Sequence, residues 1–265
     1  MPDSVFVLDG DVVQPTDLAR GPWSKDAQHG GAPAALLTRM IERFDGGDAM
    51  FVTRVTVELL RPVPIEPLRL VTRLARPGKK VQLVEASLVV ATTGIEVVRA
   101  TGLRLRRTEV PIPEGAAPSG RPPLPETGTT SRPPWAGQIQ YEGFHSGAVE
   151  MRFVAGTFEQ PGPATAWIRL RVPLVAGETT TPLARVAAAA DFGNGISWVL
   201  SRRDGYRFIN PDLTIYAHRH PVGEWIALES TTLPGGLGVG LAESRLYDER
   251  GPIGRSVQSL LIERD

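Results

Sequence analysis

Asp191 is the carboxylate whose place in the sequence is hardest to explain by stability alone. It follows four consecutive alanines near the predicted C-terminal end of a helix. An anion there opposes the helix dipole by a few tenths to about 1 kcal/mol. The same opposition predicts a raised pKa, which suits a general base. The alternative is a solvated carboxylate at a helix exit, because Phe192-Gly193-Asn194-Gly195 is typical of a turn.

A second polar candidate, Gln258, lies in the apolar final strand between Val257 and Leu260. Its counterpart in the similar first half of the chain falls near Thr101 or Gly102, neither of which carries an amide. The glutamine is therefore not required by a repeated scaffold, and we expect one such site per chain. The alternative is a solvent-facing residue, since polar side chains are ordinary at alternating strand positions.

His29-Gly30-Gly31 directly precedes another predicted helix. The imidazole of His29 is suited to act as a general base, to polarise a carbonyl, or only to cap the helix. The backbone N–H groups of Gly30 and Gly31, at a helix N-terminus, are placed to receive an oxyanion. The alternative is a plain helix-entry turn.

Composition excludes several classes of function. The 265 residues include 29 basic and 29 acidic side chains, without the basic excess of a nucleic-acid binder. The absence of cysteine excludes disulfides, thiolate catalysis and Cys-ligated zinc. No apolar run reaches the ~18–20 residues that span a bilayer, and the N-terminus does not resemble a secretory signal. We expect a cytoplasmic protein with no membrane segment, no metal and no cofactor.

A stretch rich in proline and glycine, Val110–Pro134, divides the chain into residues 1–109 and 135–265. Proline fixes φ and removes backbone donors, so this stretch predicts a linker rather than an interior strand or helix. Each half predicts a helix that opens with a proline, Pro33 in one and Pro182 in the other, followed by four strands. The strands are predicted at Phe51–Leu60, Leu68–Ala75, Val81–Ala91 and Ile95–Leu105, and at Leu213–His218, Trp225–Thr232, Gly238–Leu246 and Ser256–Ile262.

Further β-like sequence precedes each helix, at Val5–Leu8, Val149–Val154 and Ala166–Val172. Alternation such as Leu213-x-Ile215 indicates half-buried strands with one face against a helix. The pattern predicts an α+β fold in which each helix packs on a curled antiparallel sheet. Two such units in one chain mimic a dimer by pairing their sheets edge to edge.

Four motifs, in this order and spacing, resemble the double-hotdog acyl-CoA thioesterases, and most of all the acyl-CoA thioesterase II group. They are His29-Gly30-Gly31 before a helix, Arg61-Pro62 closing a strand, Ala190-Asp191-Phe192 late in the second helix, and Val257-Gln258-Ser259 in the last strand. The resemblance covers nearly the whole chain. It implies a double hotdog with acyl-CoA as substrate, and leaves open whether two chains pair as a homodimer.

The resemblance also implies hydrolysis by a water held between an aspartate, a hydroxyl or amide residue, and a glutamine, without a covalent intermediate. The aspartate matches Asp191 and the glutamine matches Gln258. The middle residue is usually threonine or serine, but Asn210 stands at that position here. Thr214 supplies a hydroxyl instead if the register slips by four residues. An asparagine amide can also orient a water.

Two other functions remain open at this stage. A hotdog enoyl-CoA hydratase needs a histidine paired with a carboxylate, and the family pattern D-x-x-x-x-H is absent from the sequence. A non-catalytic acyl-CoA binding protein stays open because Asn210 departs from the hydroxyl pattern. The length of the acyl chain is not indicated.

Overall fold

The computed structural model of the chain describes residues 3–46, 49–133 and 139–265. The elements of the first half are β1 (Phe6–Asp9), β2 (Val12–Pro15), α1 (Gly31–Arg43), β3 (Met50–Leu59), β4 (Leu68–Arg76), β5 (Val81–Val90) and β6 (Glu96–Arg106). Those of the second half are β7 (Val149–Ala155), β8 (Ala164–Leu170), α2 (Pro182–Ala190), α3 (Gly193–Ile196), β9 (Tyr206–Ile209), β10 (Asp212–Ala217), β11 (Ile226–Pro234), β12 (Val239–Asp248) and β13 (Gly251–Arg264). Within the described ranges, no helix is both long and apolar enough to cross a bilayer.

The strands form one antiparallel sheet in the order β1-β2-β4-β5-β6-β3-β10-β13-β12-β11-β8-β7, with β9 added at the end of β13. The two halves have the same strand order and meet edge to edge where β3 pairs with β10. At this junction Val55 lies opposite Ile215 and Thr56 opposite Thr214. The predicted α+β double hotdog, with sheets paired edge to edge, is confirmed.

Helices α1 and α2 pack against each other in opposite directions. The start of α1 is so close to the end of α2 that a Cβ added at Gly31 would lie 2.8 Å from the carbonyl oxygen of Ala188. Small side chains allow this approach, which explains the alanine run of α2, where Ala187 and Ala190 are fully buried. The close contact brings the C-terminal end of each helix to the N-terminal end of the other.

The structure differs from the predicted elements where long-range contacts decide the backbone. β13 begins at Gly251 rather than Ser256, and its Gly254 is needed because a Cβ there would lie 1.9 Å from the oxygen of Tyr216. β2, β9 and α3 were not predicted. Glycine disfavours helix, and α3 is only the four residues Gly-Asn-Gly-Ile, so local sequence favours a turn there.

The described part of the linker runs along the outer edge of the second half. Its Pro123 oxygen accepts a hydrogen bond of 2.7 Å from Trp167 Nε1, and Thr129 pairs with Phe153 of β7. Where the linker pairs with β7, at Phe153, the edge strand cannot pair with another chain. Pro134, the last residue of the predicted linker, lies outside the described residues.

Candidate active site

The carboxylate of Asp191 lies at the seam between the two helices. Asp191 is the C-cap of α2, and its side chain reaches the first turn of α1, where the Gly31 N–H is a hydrogen-bond partner. A Cβ added at Gly30 would lie 2.9 and 3.1 Å from the two carboxylate oxygens. Only glycine therefore lets α1 begin this close to the carboxylate.

Two side-chain amides converge on one oxygen of Asp191. Asn210 Nδ2 donates to Oδ1 at 2.8 Å, and Gln258 Nε2 donates to the same atom at 3.1 Å. Asn210 comes from the segment between β9 and β10, and Gln258 from the middle of β13. The Asp191 side chain is 7% exposed, so the cluster is enclosed but still reaches the surface.

The prediction of a raised pKa for Asp191 is wrong. Burial acts to raise the pKa, but His29, Asn210 and the Gly31 N–H together hold it below its ordinary value. From the sequence alone, the carboxylate is expected to lie in the field of its own helix C-terminus. In the folded chain it lies instead at the N-terminus of α1, where backbone N–H groups stabilise an anion. Asp191 is accordingly ionised at neutral pH.

The imidazole of His29 packs against two aromatic rings. Its ring centroid is 4.5 Å from that of Phe192 and 5.2 Å from that of Phe144. This packing holds Nδ1 3.1 Å from Asp191 Oδ2. A histidine–carboxylate pair is therefore present, with its members drawn from different halves. The D-x-x-x-x-H spacing is absent from the sequence, but the fold forms such a pair from two residues that are far apart in the chain.

The two glycines differ as backbone donors. The Gly31 N–H is engaged, because its hydrogen-bond partner is the Asp191 carboxylate. It also lies 3.1 Å from His29 Nδ1, which cannot accept from it while donating to Asp191. The Gly30 N–H has no hydrogen-bond acceptor among the residues that the structure describes. Of the two predicted oxyanion donors, Gly30 is the one whose N–H remains available.

Thr214 lies on the opposite face of the sheet from the helices. Its neighbours Leu213 and Ile215 are only 1% and 3% exposed, and successive strand residues point to opposite faces. Its hydroxyl is 3.3 Å from that of Thr56 across the β3–β10 junction. The structure thus brings together six of the seven predicted site residues, and Thr214 is the one it leaves apart: the six are His29, Gly30, Gly31, Asp191, Asn210 and Gln258.

Glu42 is a second, partly buried carboxylate at the helix contact, and the sequence alone did not single it out. It lies at the end of α1 and accepts hydrogen bonds from Thr181 Oγ1 and from the N–H groups of Leu183 (2.9 Å) and Ala184 (3.1 Å). It therefore occupies at α2 the place that Asp191 occupies at α1. Its position nine residues after a helix-opening proline, the same as that of Asp191 (33 to 42, 182 to 191), was the available signal.

The first half does not surround Glu42 with the same partners. The strand position that corresponds to Gln258 is Gly102, where an added Cβ would lie 2.2 Å from Cγ2 of Ile41. An apolar side chain of α1 thus fills the space that the glutamine amide fills in the second half. The pKa of Glu42 is raised, chiefly by burial, with the hydrogen bonds from Thr181, Leu183 and Ala184 acting in the opposite direction.

Comparisons with known proteins agree with this architecture. Residues 19–105 match the family model described as acyl-CoA thioesterase N-terminal domain, and residues 116–262 match that of the acyl-CoA thioesterase C-terminal domain. No curated protein matches the chain.

Several solved structures share the fold at low sequence identity. A provisionally assigned thioesterase II from Thermobifida fusca is 18% identical, with a TM-score of 0.74 over 99% of this chain and 96% of that one. An acyl-CoA thioesterase II from Mycobacterium marinum is 16% identical, with a TM-score of 0.66 over 97% and 95%. A hot dog protein of unknown function from Alicyclobacillus acidocaldarius is 15% identical, with a TM-score of 0.71 over 99% and 97%.

The different surroundings of the two carboxylates predict different effects of removing them. Glu42→Ala should lower the free energy of unfolding by about 1–2 kcal/mol, because the first N–H groups of α2 lose their acceptor. The substitution should leave the rate of the reaction catalysed at the Asp191 cluster unchanged. Urea denaturation and a turnover assay on the same preparation check both statements. Loss of turnover with unchanged stability would instead place the chemistry at Glu42.

Proposed function

This chain belongs to the acyl-CoA thioesterase family, and from that premise we propose that it hydrolyses acyl-CoA thioesters to the free acid and CoA. The water that attacks is held by Asp191, Asn210 and Gln258. The observation that carries the proposal is the convergence of two amide donors on one oxygen of an ionised, largely buried carboxylate. Such an arrangement fixes the orientation of the carboxylate and keeps it in the ionised form, which is the form that can accept a proton from water.

The reaction follows from these positions. The water oxygen attacks the thioester carbonyl carbon while one of its protons passes to Asp191. The carbonyl oxygen becomes an oxyanion, which the Gly30 N–H at the start of α1 stabilises. The C–S bond then breaks, and the proton held by Asp191 goes to the departing sulfur. Acid and thiol are released, and the carboxylate is restored.

Asn210 replaces the usual hydroxyl residue without loss of function in this scheme. Its Nδ2 donates to Asp191 at 2.8 Å, and its amide oxygen is then the acceptor for the second proton of the water. A threonine offers one hydroxyl for both tasks, whereas the amide divides them between two atoms. His29 holds the other carboxylate oxygen, from which its Nδ1 lies 3.1 Å away.

The histidine–carboxylate pair favours a second candidate function. His29 and Asp191 at 3.1 Å are also the pairing that a hotdog enoyl-CoA hydratase needs to add water across a double bond. The two reactions have different products: hydrolysis releases a free thiol, whereas hydration removes the enoyl absorbance and leaves the thioester intact.

A thiol-release assay over short, medium and long acyl-CoAs tests the proposed activity. Wild-type protein should release CoA from at least one length class. Asp191→Asn should lower kcat by about 10²–10⁴-fold, because an amide cannot take a proton from water. Asp212→Asn, which alters a partly exposed carboxylate that accepts from the Ser259 N–H, is the control and should stay within about twofold of wild type.

Three outcomes would contradict the proposal, in the thiol-release assay or in parallel measurements of enoyl absorbance and acyl-CoA binding. Equal activity in Asp191→Asn and wild type would remove the carboxylate from the mechanism. Loss of enoyl absorbance without thiol release would identify a hydratase. Tight binding of acyl-CoA with neither reaction would identify a binding protein.

Substitutions at the other positions separate the two candidates for the middle residue. Asn210→Ala and Gln258→Ala should each lower kcat by about 10²-fold, since each removes a donor that orients the carboxylate. Thr214→Val keeps the shape of the side chain and should leave kcat near the wild-type value, because its hydroxyl faces the other side of the sheet. The steady-state kcat of the three variants shows whether Asn210 or Thr214 is the middle residue. A loss in Thr214→Val as large as that in Asn210→Ala would refute the assignment.

A further inference from the structure

A chain of polar groups lies behind Gln258, on the side away from Asp191. The Asn194 N–H, at the start of α3, donates to Gln258 Oε1 at 3.3 Å. The side-chain oxygen of Asn194 accepts from Thr232 Oγ1 at 3.2 Å, and Thr232 Oγ1 is 2.9 Å from Ser197 Oγ. Ser197 Oγ also lies 2.9 Å from the Gly193 carbonyl oxygen, so its single proton is shared between this carbonyl and Thr232 Oγ1. This polar chain therefore connects the Gln258 amide to both ends of α3.

Three of the four side chains in this polar chain are buried. Ser197 is 0% exposed, Thr232 is 3% exposed and Gln258 is 2% exposed. A polar group buried without a partner destabilises the fold, so each member stays in place because the next one pairs with it. The Asn194 N–H holds Oε1 of Gln258 on its own side, which leaves Nε2 to face the carboxylate. The reversed amide would place Oε1 against the negative oxygen of Asp191.

The first half shows that the fold does not require these polar residues. On the second-half sheet, Ala242 pairs with Gln258 on one side and with Thr232 on the other. In the matching register of the first half, Val84 pairs with Gly102 and with Leu74. Leucine thus stands where the second half has Thr232. The threonine hydroxyl is present only in the half that carries the amide cluster.

We propose that Thr232 is a positioning residue, which acts with Asn194 and Ser197 to hold the Gln258 amide toward Asp191. The proposal rests on the function proposed above for the Asp191 cluster. Thr232 touches neither water nor substrate in this scheme. Its effect reaches the reaction through the orientation of Gln258, and it is therefore expected in kcat rather than in KM.

Thr232→Val tests the proposal with little change in side-chain shape. Its kcat should fall about tenfold with KM unchanged, because a misoriented group loses rate rather than binding. Thr232→Ser, which restores the hydroxyl, should recover most of that loss. Ser230→Ala is the matched control: Ser230 is 1% exposed on the same face of β11, but its hydroxyl pairs with Ser244 at 2.7 Å instead of joining the chain. It should leave kcat near wild type.

A double variant shows whether Thr232 acts through the glutamine. In the Gln258→Ala background, Thr232→Val should cause no further loss of kcat, since the group that it positions is gone. A second tenfold loss in that background would overturn the proposal.

A readout independent of activity separates this proposal from the proposed function. The side-chain amide signal of Gln258 in a ¹⁵N–¹H NMR spectrum is identified by its disappearance in Gln258→Ala. Thr232→Val should shift or broaden that signal, and Ser230→Ala should not. If wild-type protein hydrolyses no acyl-CoA, the proposed function fails, and the shift alone then decides the positioning role. An unchanged signal in Thr232→Val would overturn it.

Discussion

The contact between the ends of α1 and α2 is the constraint on which the candidate site depends. Gly31 packs on the carbonyl of Ala188, an approach that a larger side chain would prevent. This contact moves the carboxylate of Asp191 from the unfavourable end of its own helix to the favourable end of another. A buried anion is thereby held ionised, with two amides and a histidine around it. Glu42 shows that the same packing places a carboxylate at the other helix start as well.

The surroundings of Asp191 and Glu42 differ because different residues of the sheet lie beneath the two carboxylates. Below Asp191 the sheet offers Gln258 and Thr232, whereas the first half has Gly102 and Leu74 in the matching register. Both halves are needed to build the core of the double hotdog, but the polar cluster is built on the sheet of one half. The first half therefore keeps an apolar interior that stabilises the shared sheet, and the second half has polar side chains that orient the carboxylate. Polar groups buried in this way are tolerated because each has a partner.

Sequence patterns predicted what depends on local periodicity, namely the helices, the meander strands and their division between two halves. The resemblance to the acyl-CoA thioesterases, which rests on the order of the motifs, implied that Asp191, Gln258 and Asn210 form one cluster. The pKa of Asp191 was predicted in the wrong direction because its electrostatic surroundings come from a helix far away in the chain. The position of Thr214 could have been predicted from the sequence. The alternation Leu213-x-Ile215 marks the helix-facing side of the sheet, so Thr214 lies on the opposite face. Short elements such as α3 form through tertiary contacts, which local propensity does not contain.

The central claim of this account is that Asp191 activates a water and does not itself attack the thioester. A single turnover in ¹⁸O-labelled water, with protein in excess over acyl-CoA, tests it directly. Direct attack by water predicts one labelled oxygen in the released acid and no label in the peptide that contains Asp191, as determined by mass spectrometry. Label in the Asp191 carboxyl group, with unlabelled acid, would show that the carboxylate forms a covalent acyl intermediate and would contradict the account.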